Sequence, residues 1–485
     1  MPIYTPHAQC ESALAVWRKC RDVIAGQEAM HERSRAMTYL PKLKGESKED
    51  YSRRLARSVF FNATWRTIDG LNGMLFRKAP GVKVSAITEP MLADVTQSGM
   101  SLTTLAKEVG KEAMSVGRIG LLVDYPRAPA GDMTVQQAQA LGMRPKMSMY
   151  KAEAITNWST GWVAGRTLLT RLVLEECHEY CDPNDRFVTL SEARWRCLEL
   201  VAGDDGLVVQ VTVERKVADS DKGETEVVDA FVPLKNGKPL REIEFVFISA
   251  DSTQPHIELP PLIDLVNMNI SHYQSTSDVE HGAHKTALPQ PYATGISEGE
   301  KMPTFYMGGG NIWLHPNPEG TFGMLEYAGQ GLAAIETRIE VKERQMAVLG
   351  ARMLEQQKAA AETAEVAGMH RSGEQSSLAT MADTIDAGMV RALKWFDEWA
   401  GGTGDVAFDL NKEFLPVNLS AQELTALVAA WQSGGLSDQE LFGKLQRGGV
   451  IADGVTFEEH SAQVENSRPA NMPQPVAAPV AAPAE

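Results

Sequence analysis

Hydrophobic positions recur every three or four residues through most of the first 120 positions, the period of amphipathic helices. From Glu11 to Glu32, Leu14, Trp17, Cys20 and Ile24 share one face, and Leu40-Pro41 closes the segment. A second helix is expected from Lys48 to Phe76. Tyr51, Leu55, Val59 and Phe60 begin its apolar face, and Ile68, Leu71, Leu75 and Phe76 continue it. Arg77-Lys78 then suits the negative end of its dipole. A third helix, Leu102 to Val116, leads into the run from Ile119 to Pro126, which is rich in Leu, Ile and Val and bounded by Gly and Pro, as in a buried strand.

From Pro145 to Ile248 the period moves toward two. Thr167–Tyr180, Leu207–Val213, Glu224–Pro233 and Ile243–Ile248 read as strands of a mostly antiparallel region. Asp182-Pro183-Asn184-Asp185 and Lys235-Asn236-Gly237-Lys238 separate them, and the Asn-Gly pair is the strongest local hairpin signal in the chain. Helical spacing returns from Leu262 to Ala283. A loop-and-strand stretch follows, from Leu288 to Ala328. From Gly331 to about Glu355, Leu332, Ile335, Ile339, Met346, Leu349 and Met353 form one apolar face. Another helix spans roughly Glu374 to Ala400 and stops at Gly401-Gly402; Val406–Leu410 fits a strand. Ser420-Ala421-Gln422-Glu423 and Ser437-Asp438-Gln439-Glu440 are capping boxes opening two short helices. From Glu465 the chain turns Pro/Ala/Val-rich, the composition of a disordered tail. The fold class is α+β, mainly helical.

Composition narrows the function. The 485 residues suffice for roughly two to four domains. The formal net charge is 47 − 63 = −16, which disfavours a protein that wraps nucleic acid by neutralising phosphates. Five cysteines, an odd number in a long chain, fit free thiols in a reducing compartment better than a disulfide framework. The start lacks the pattern of a secretory signal, and no stretch approaches the ~18 apolar residues of a membrane span. These features fit a soluble protein made in a cytoplasm, with no membrane insertion.

Catalytic signals are sparse. There is no phosphate loop of the Gly-x-x-x-x-Gly-Lys-Ser/Thr type and no Gly-x-Ser-x-Gly elbow. Gly308-Gly309-Gly310 lacks the following helix or Lys that a phosphate cradle uses, and reads as a flexible turn. His281 and His284 can share a helix face, with His272 upstream, so a metal-dependent enzyme is one alternative, although no third ligand is placed. Cys177-His178-Glu179-Tyr180-Cys181 puts two thiols and a carboxylate on one strand face without a second ligand pair. Arg53, Arg54 and Arg57 read as a solvated helix face with ion pairs. Lys342 and Arg344, alternating with Glu340 and Glu343, read as an exposed charge-laced surface.

Short motifs in order carry more than any site. They are Tyr39-Leu40-Pro41, Phe60-Phe61-Asn62-Ala63-Thr64, Asp69-Gly70-Leu71-Asn72-Gly73-Met74, Phe76-Arg77-Lys78, Val116-Gly117-Arg118, Leu122-Val123-Asp124-Tyr125-Pro126 and Ile155-Thr156-Asn157-Trp158. Asn269, His272-Tyr273, Asp278, Glu280-His281-Gly282, Gly310-Asn311-Ile312-Trp313, Lys342-Glu343-Arg344-Gln345-Met346 and Leu349-Gly350-Ala351-Arg352 continue them. Together with the order of elements, the chain resembles the portal proteins of tailed bacteriophages, the head-to-tail connectors. The likeness is to a branch long catalogued as a domain of unknown function, and it spans roughly Tyr39 to Gly449.

The resemblance implies a homo-oligomeric ring of about twelve subunits, a dodecamer, at one capsid vertex of the virion, assembled in the host bacterial cytoplasm. Double-stranded DNA would pass through it during packaging and ejection, and a terminase motor, the capsid and neck or tail adaptors would dock on it. It implies no catalysis and no cofactor. Residues 1–255 would form the wing, 256–287 the first stem helix, 288–328 the clip and 329–355 the second stem helix. Residues 356–373 would be the tunnel-loop region, 374–450 C-terminal wing or crown helices and 451–485 a largely disordered tail. Tyr292, Phe305, Tyr306 and Trp313 would anchor clip partners. Lys358, His370 and Arg371 are the basic residues available to DNA, though the high helix propensity of 356–362 also fits a continuous helix. An acidic wall lets phosphates slide rather than stick. Between Ser249 and Leu288 there are Asp251, Glu258, Asp264, Asp278 and Glu280 against Lys285 alone. An unrelated helical scaffold is the other alternative.

Overall fold

The computed structural model describes residues 2–126, 137, 141–204, 206–217, 224–286, 290–294, 319–325, 330–351, 353, 376–412, 414, 421–432, 435–447, 451 and 455–466. Chain contacts divide it into two units, Met1–Lys412 and Glu413–Glu485.

In the first unit the long helices expected near the N-terminus are each split. Helix α1 (Ala8–Ala25) buries Cys10, Trp17, Cys20 and Val23 and ends at Gly26, whose φ of +91° is the left-handed region that a side chain resists. Helix α2 (Gln27–Arg35) starts afresh there. The expected helix from Lys48 to Phe76 is two, α3 (Lys48–Arg57) and α4 (Ala63–Leu75). Asn62 breaks it: its side chain accepts from Trp65 N to cap α4, while its Nδ2 donates to Ile24 O at 3.0 Å. Apolar spacing continues through the break, which is why periodicity alone misses it.

Strand β1 (Gly81–Lys83) is followed by α5 (Leu102–Val116), matching its expected bounds; Ser101 caps it and Gly117 closes it at φ +76°. It feeds β2 (Arg118–Asp124), buried along six of its positions as a central strand should be. Arg118 lies inside, its guanidinium 4.0 Å from the Trp158 ring centre and 4.7 Å from that of Phe247; burial pulls its pKa down to about 9.

The β region holds more strands than the sequence pattern gives. β3 (Lys146–Lys151), β4 (Ile155–Val163), β5 (Arg166–Cys181), β6 (Thr189–Gly203), β7 (Gly206–Lys216) and β8 (Thr225–Phe231) follow in turn. β4 to β8 form an antiparallel meander in sequence order. One face buries Leu172, Leu174, Leu198, Val209 and Val211 in the core. The other carries ion pairs such as Arg171–Glu199 across neighbouring strands, and those charges mask the alternation of β6 in the sequence. β9 (Leu234–Lys235) and β10 (Lys238–Pro239) flank Asn236 and Gly237 at φ +52° and +74°, the hairpin expected from the Asn-Gly pair. β11 (Phe245–Ser249) pairs with β2, giving a second antiparallel sheet in the order β11-β2-β3.

Helix α6 (Ile263–Thr286) leads to β12 (Gln290–Ala293), which pairs with β13 (Phe322–Leu325) before α7 (Gln330–Ala351). Helix α8 (Ser377–Ala400), capped by Ser376, lies on β11 and β2. Gly388 permits that approach, since a Cβ there would sit 2.5 Å from Ile248 Cδ1. β14 (Ala407–Asp409) then pairs with β1, a partnership no local pattern foretold.

The second unit holds α9 (Ala421–Gln432), α10 (Asp438–Arg447) and α11 (Phe457–Asn466). The box at Ser437 forms as expected: Glu440 N donates to Ser437 Oγ at 3.3 Å and Ser437 N to Glu440 Oε2 at 2.9 Å. Thr456 and Glu459 make a third box, which places a helix inside the stretch expected to be a largely disordered tail. Among the described residues no helix is long and apolar enough to cross a membrane.

Candidate assembly interface

The long helices α6 and α7 are joined through a strand pair and pack on each other, so the chain runs out along one and back along the other. At 1.5 Å per residue the 24 residues of α6 span about 36 Å. Near the strand pair Gly282 faces Leu332, whose Cδ2 lies 2.5 Å from where a Cβ would be; at the other end Gly350 meets Thr67 of α4.

Polar groups lock α6 into the body. Asn269, fully buried, donates to Phe61 O at 2.7 Å and accepts from Thr64 N at 3.1 Å and Thr64 Oγ1 at 3.0 Å. Eight residues on, the Ser277 and Ser58 hydroxyls are 2.7 Å apart. Arg54 donates to Glu46 through Nε at 2.8 Å and Nη2 at 3.0 Å, to Pro41 O at 2.8 Å and to Ser277 Oγ at 3.4 Å. Its side chain is 1% exposed, so Arg54 departs from the expected solvated face as a buried clamp, while Arg53 stays exposed beside Asp50; the Arg54 guanidinium also holds the Glu46 carboxyl below its ordinary range. Gln274 Nε2 donates to Tyr39 O at 2.9 Å, and Tyr273 meets Phe60 edge-on.

The seam between α6 and α7 is polar in part. Lys342 Nζ donates to Ser271 O at 2.9 Å and Ser275 Oγ at 2.7 Å, and burial lowers its pKa, so it is a seam residue rather than part of an exposed charged face. His272 Nε2 lies 3.2 Å from Glu343 Oε1. On the outer side, Val341 and Val348 are 40% and 51% exposed. With Met268 and Leu349 they line an apolar cleft of about 460 Å³.

The alternative metal site does not assemble. His272 is buried and occupied by Glu343, and His281 lies nine residues on, about 13 Å along the axis. His284 is exposed. Among the described residues no group of three or more His, Cys, Asp or Glu is placed to hold a metal ion. Cys177 and Cys181 are exposed free thiols. Of the acidic residues read as a wall, Glu258 is taken up by Ser249 and Ser252 at 2.7 and 2.8 Å, while Asp264, Asp278 and Glu280 are exposed on α6.

Tyr292 is exposed on β12, its ring over Gly323 of the paired strand, where a Cβ would come within 2.6 Å. Phe305, Tyr306 and Trp313 lie outside the described residues, as do Lys358, His370, Arg371 and the whole of 356–373. Reading the sequence missed the role of Arg54 and Ser277; a hydrophilic pair facing inward on two apolar-striped helices was the available signal.

Residues 261–400 match the family described as a domain of unknown function, DUF4055. No curated protein matches the chain. Among solved structures, it is similar to a chain from the neck of an empty GTA particle, computed with C6 symmetry. That match has 12% identity and a TM-score of 0.40, covering 79% of this chain and 89% of that one. A chain from the neck of the native GTA particle, computed with C12 symmetry, gives 13% identity and 0.38 over the same shares. A chain from the virion of the native gene transfer agent particle gives 13% and 0.37, over 82% of this chain and 93% of that one.

Proposed function

We propose that this chain is a portal protein. It forms a ring at one capsid vertex, conducts double-stranded DNA during packaging and ejection, and serves as a platform for terminase and for neck or tail proteins. The observation that carries the reading is the excursion α6–β12/β13–α7. The first of two long helices is clamped along its first half and middle to a mixed helix-and-sheet body by Asn269, Arg54 and Ser277, and the second packs on it. They bring a strand pair with exposed Tyr292 to the other end. That is the order of wing, stem, clip and stem implied by the motifs. In this reading β12, β13 and their connection dock the motor, and the apolar cleft beside Val341 and Val348 takes the stem of the next subunit. The chain itself needs no catalytic centre, since the energy for packaging comes from the motor. Imaging of the purified protein tests the reading: rings with a central opening support it, and a monomer at micromolar concentration and physiological salt contradicts it.

A further inference from the structure

The β5–β6 hairpin outruns its sheet. β4 accompanies β5 only as far as Leu174, and β7 accompanies β6 only from Arg194 onward. Beyond the Glu176–Arg194 pair, five successive pairs, from Cys177–Ala193 to Cys181–Thr189, have only each other. Residues 177–181 are exposed at every position; on the opposite strand only Leu190 and Glu192 are half-buried, Glu192 being tied to Arg215 of β7 at the ribbon's base. A bare two-stranded ribbon is marginal in water. This one nevertheless ends in an ordered tip: Asn184 N donates to Asp182 Oδ1 at 2.7 Å, Phe187 N to Asp185 Oδ1 at 3.0 Å, and Asp182 N to Val188 O at 2.9 Å. The tip presents Phe187 at 82% exposure, flanked by Val188 at 41% and Tyr180 at 40%.

An aromatic side chain held out on a rigid turn is the form of an interface anchor. The arm is also acidic, with Glu179, Asp182, Asp185 and Glu192 against Arg186, and Glu175 is exposed at its base. The same chain carries a surface of opposite character between α2 and α3. There Arg35, Lys42, Lys44, Lys48 and Arg53 are exposed against Glu49 and Asp50, because the carboxylate of Glu46 is consumed by Arg54. Met37 and Leu43, 49% and 44% exposed, supply apolar area within it.

We propose that the β5–β6 arm docks on the Arg35–Arg53 surface of a second copy of this chain, with Phe187 against Met37 and Leu43 and the arm's carboxylates facing the lysines. Arm and receiving surface are different patches, so the contact is heterologous, the kind of contact that repeats head to tail around a ring when the rotation between neighbours closes. The proposal rests on the ring reading above and adds the contact that links neighbours.

The chain's own chemistry provides the test, because Cys177 and Cys181 are exposed thiols and Lys42, Lys44 and Lys48 are exposed amines. Full-length rings assembled from mixed isotopically light and heavy chains are treated with a short amine-to-thiol cross-linker and analysed by mass spectrometry. The expected products join Cys177 or Cys181 of one isotope to Lys42, Lys44 or Lys48 of the other. Rings whose arm thiols couple elsewhere, or only within one chain, overturn the docking while leaving the ring intact; a chain that never assembles overturns both. Independently, Lys42→Glu with Lys44→Glu raises the concentration needed for assembly by about tenfold, and Glu175→Lys with Glu179→Lys in the same chain restores it. Assembly unchanged by the lysine reversals overturns the proposal.

Discussion

Asn269 on α6 accepts two hydrogen bonds from Thr64, one from the backbone N–H and one from the hydroxyl, while its own amide donates to Phe61 O. Three bonds from one buried side chain thus fix the start of α4 to a helix some 200 residues away in sequence. Removing that side chain leaves the Thr64 N–H of the first helical turn without its acceptor, while Phe61 O keeps only its bond from Ala63 N. Asn269→Ala is expected to lower unfolding stability by about 1–3 kcal/mol, measured by denaturant titration. An unchanged midpoint would mean that the clamp contributes nothing.

The Arg54–Glu46 pair is nearly inaccessible, with side chains 1% and 5% exposed. Arg54→Met strands a buried carboxylate, for an expected loss of about 3–5 kcal/mol, whereas Arg54→Met with Glu46→Leu recovers most of it. The pair also sets an acid limit. The Arg54 hydrogen bond holds the folded-state pKa of Glu46 below its ordinary 4.5, so its contribution is full above 4.5 and is lost as pH falls through the folded value. Glu46→Gln therefore flattens the acid limb of stability against pH below 4.5.

Glu244 titrates in the opposite sense. Burial raises its pKa to about 7, although Lys235 Nζ at 2.8 Å and Trp399 Nε1 donate to it, with Glu398 nearby on the same lysine. A carboxyl whose folded pKa is raised favours folding most below 4.5, and that contribution is lost as pH rises through about 7. Melting temperature is expected to fall between pH 5 and 7 in the wild type and to fall less in Glu244→Gln.

Two glycines in helices separate packing from propensity. At Gly388 a methyl would meet both Ile248 Cδ1 and Cγ1 at 2.5 Å, atoms of a β-branched side chain in a buried strand, and Gly388→Ala should cost about 1–3 kcal/mol. At Gly282 the near atom is the far end of Leu332 alone, which can rotate. Gly282→Ala is expected to be neutral or to stabilise by up to about 1 kcal/mol through helix propensity. Equal losses at both sites in thermal melts would contradict this account.

What the sequence displayed was what neighbouring residues decide: α5 between Ser101 and Gly117, the hairpin at Asn236-Gly237 and the capping box at Ser437. The breaks at Gly26 and Asn62 were hidden because apolar spacing runs across them, and β6 because its exposed face is built of ion pairs. Arg54 was misread for the same reason in reverse. Its place three residues after Tyr51 puts it on the apolar face of α3, unlike Arg53, but its partners Glu46 and Ser277 are supplied by a loop and by a helix more than 200 residues on. Both α6 and α7 were legible as helices, but the seam made by Lys342 on Ser271 and Glu343 on His272 was not, since each pair is polar and 71 residues apart.

Ring formation is tested most directly by class-averaged electron microscopy of the purified protein. Closed rings of about twelve subunits with an open axial channel are expected. Particles of single-chain mass, without rotational symmetry at micromolar concentration and physiological salt, would contradict ring formation.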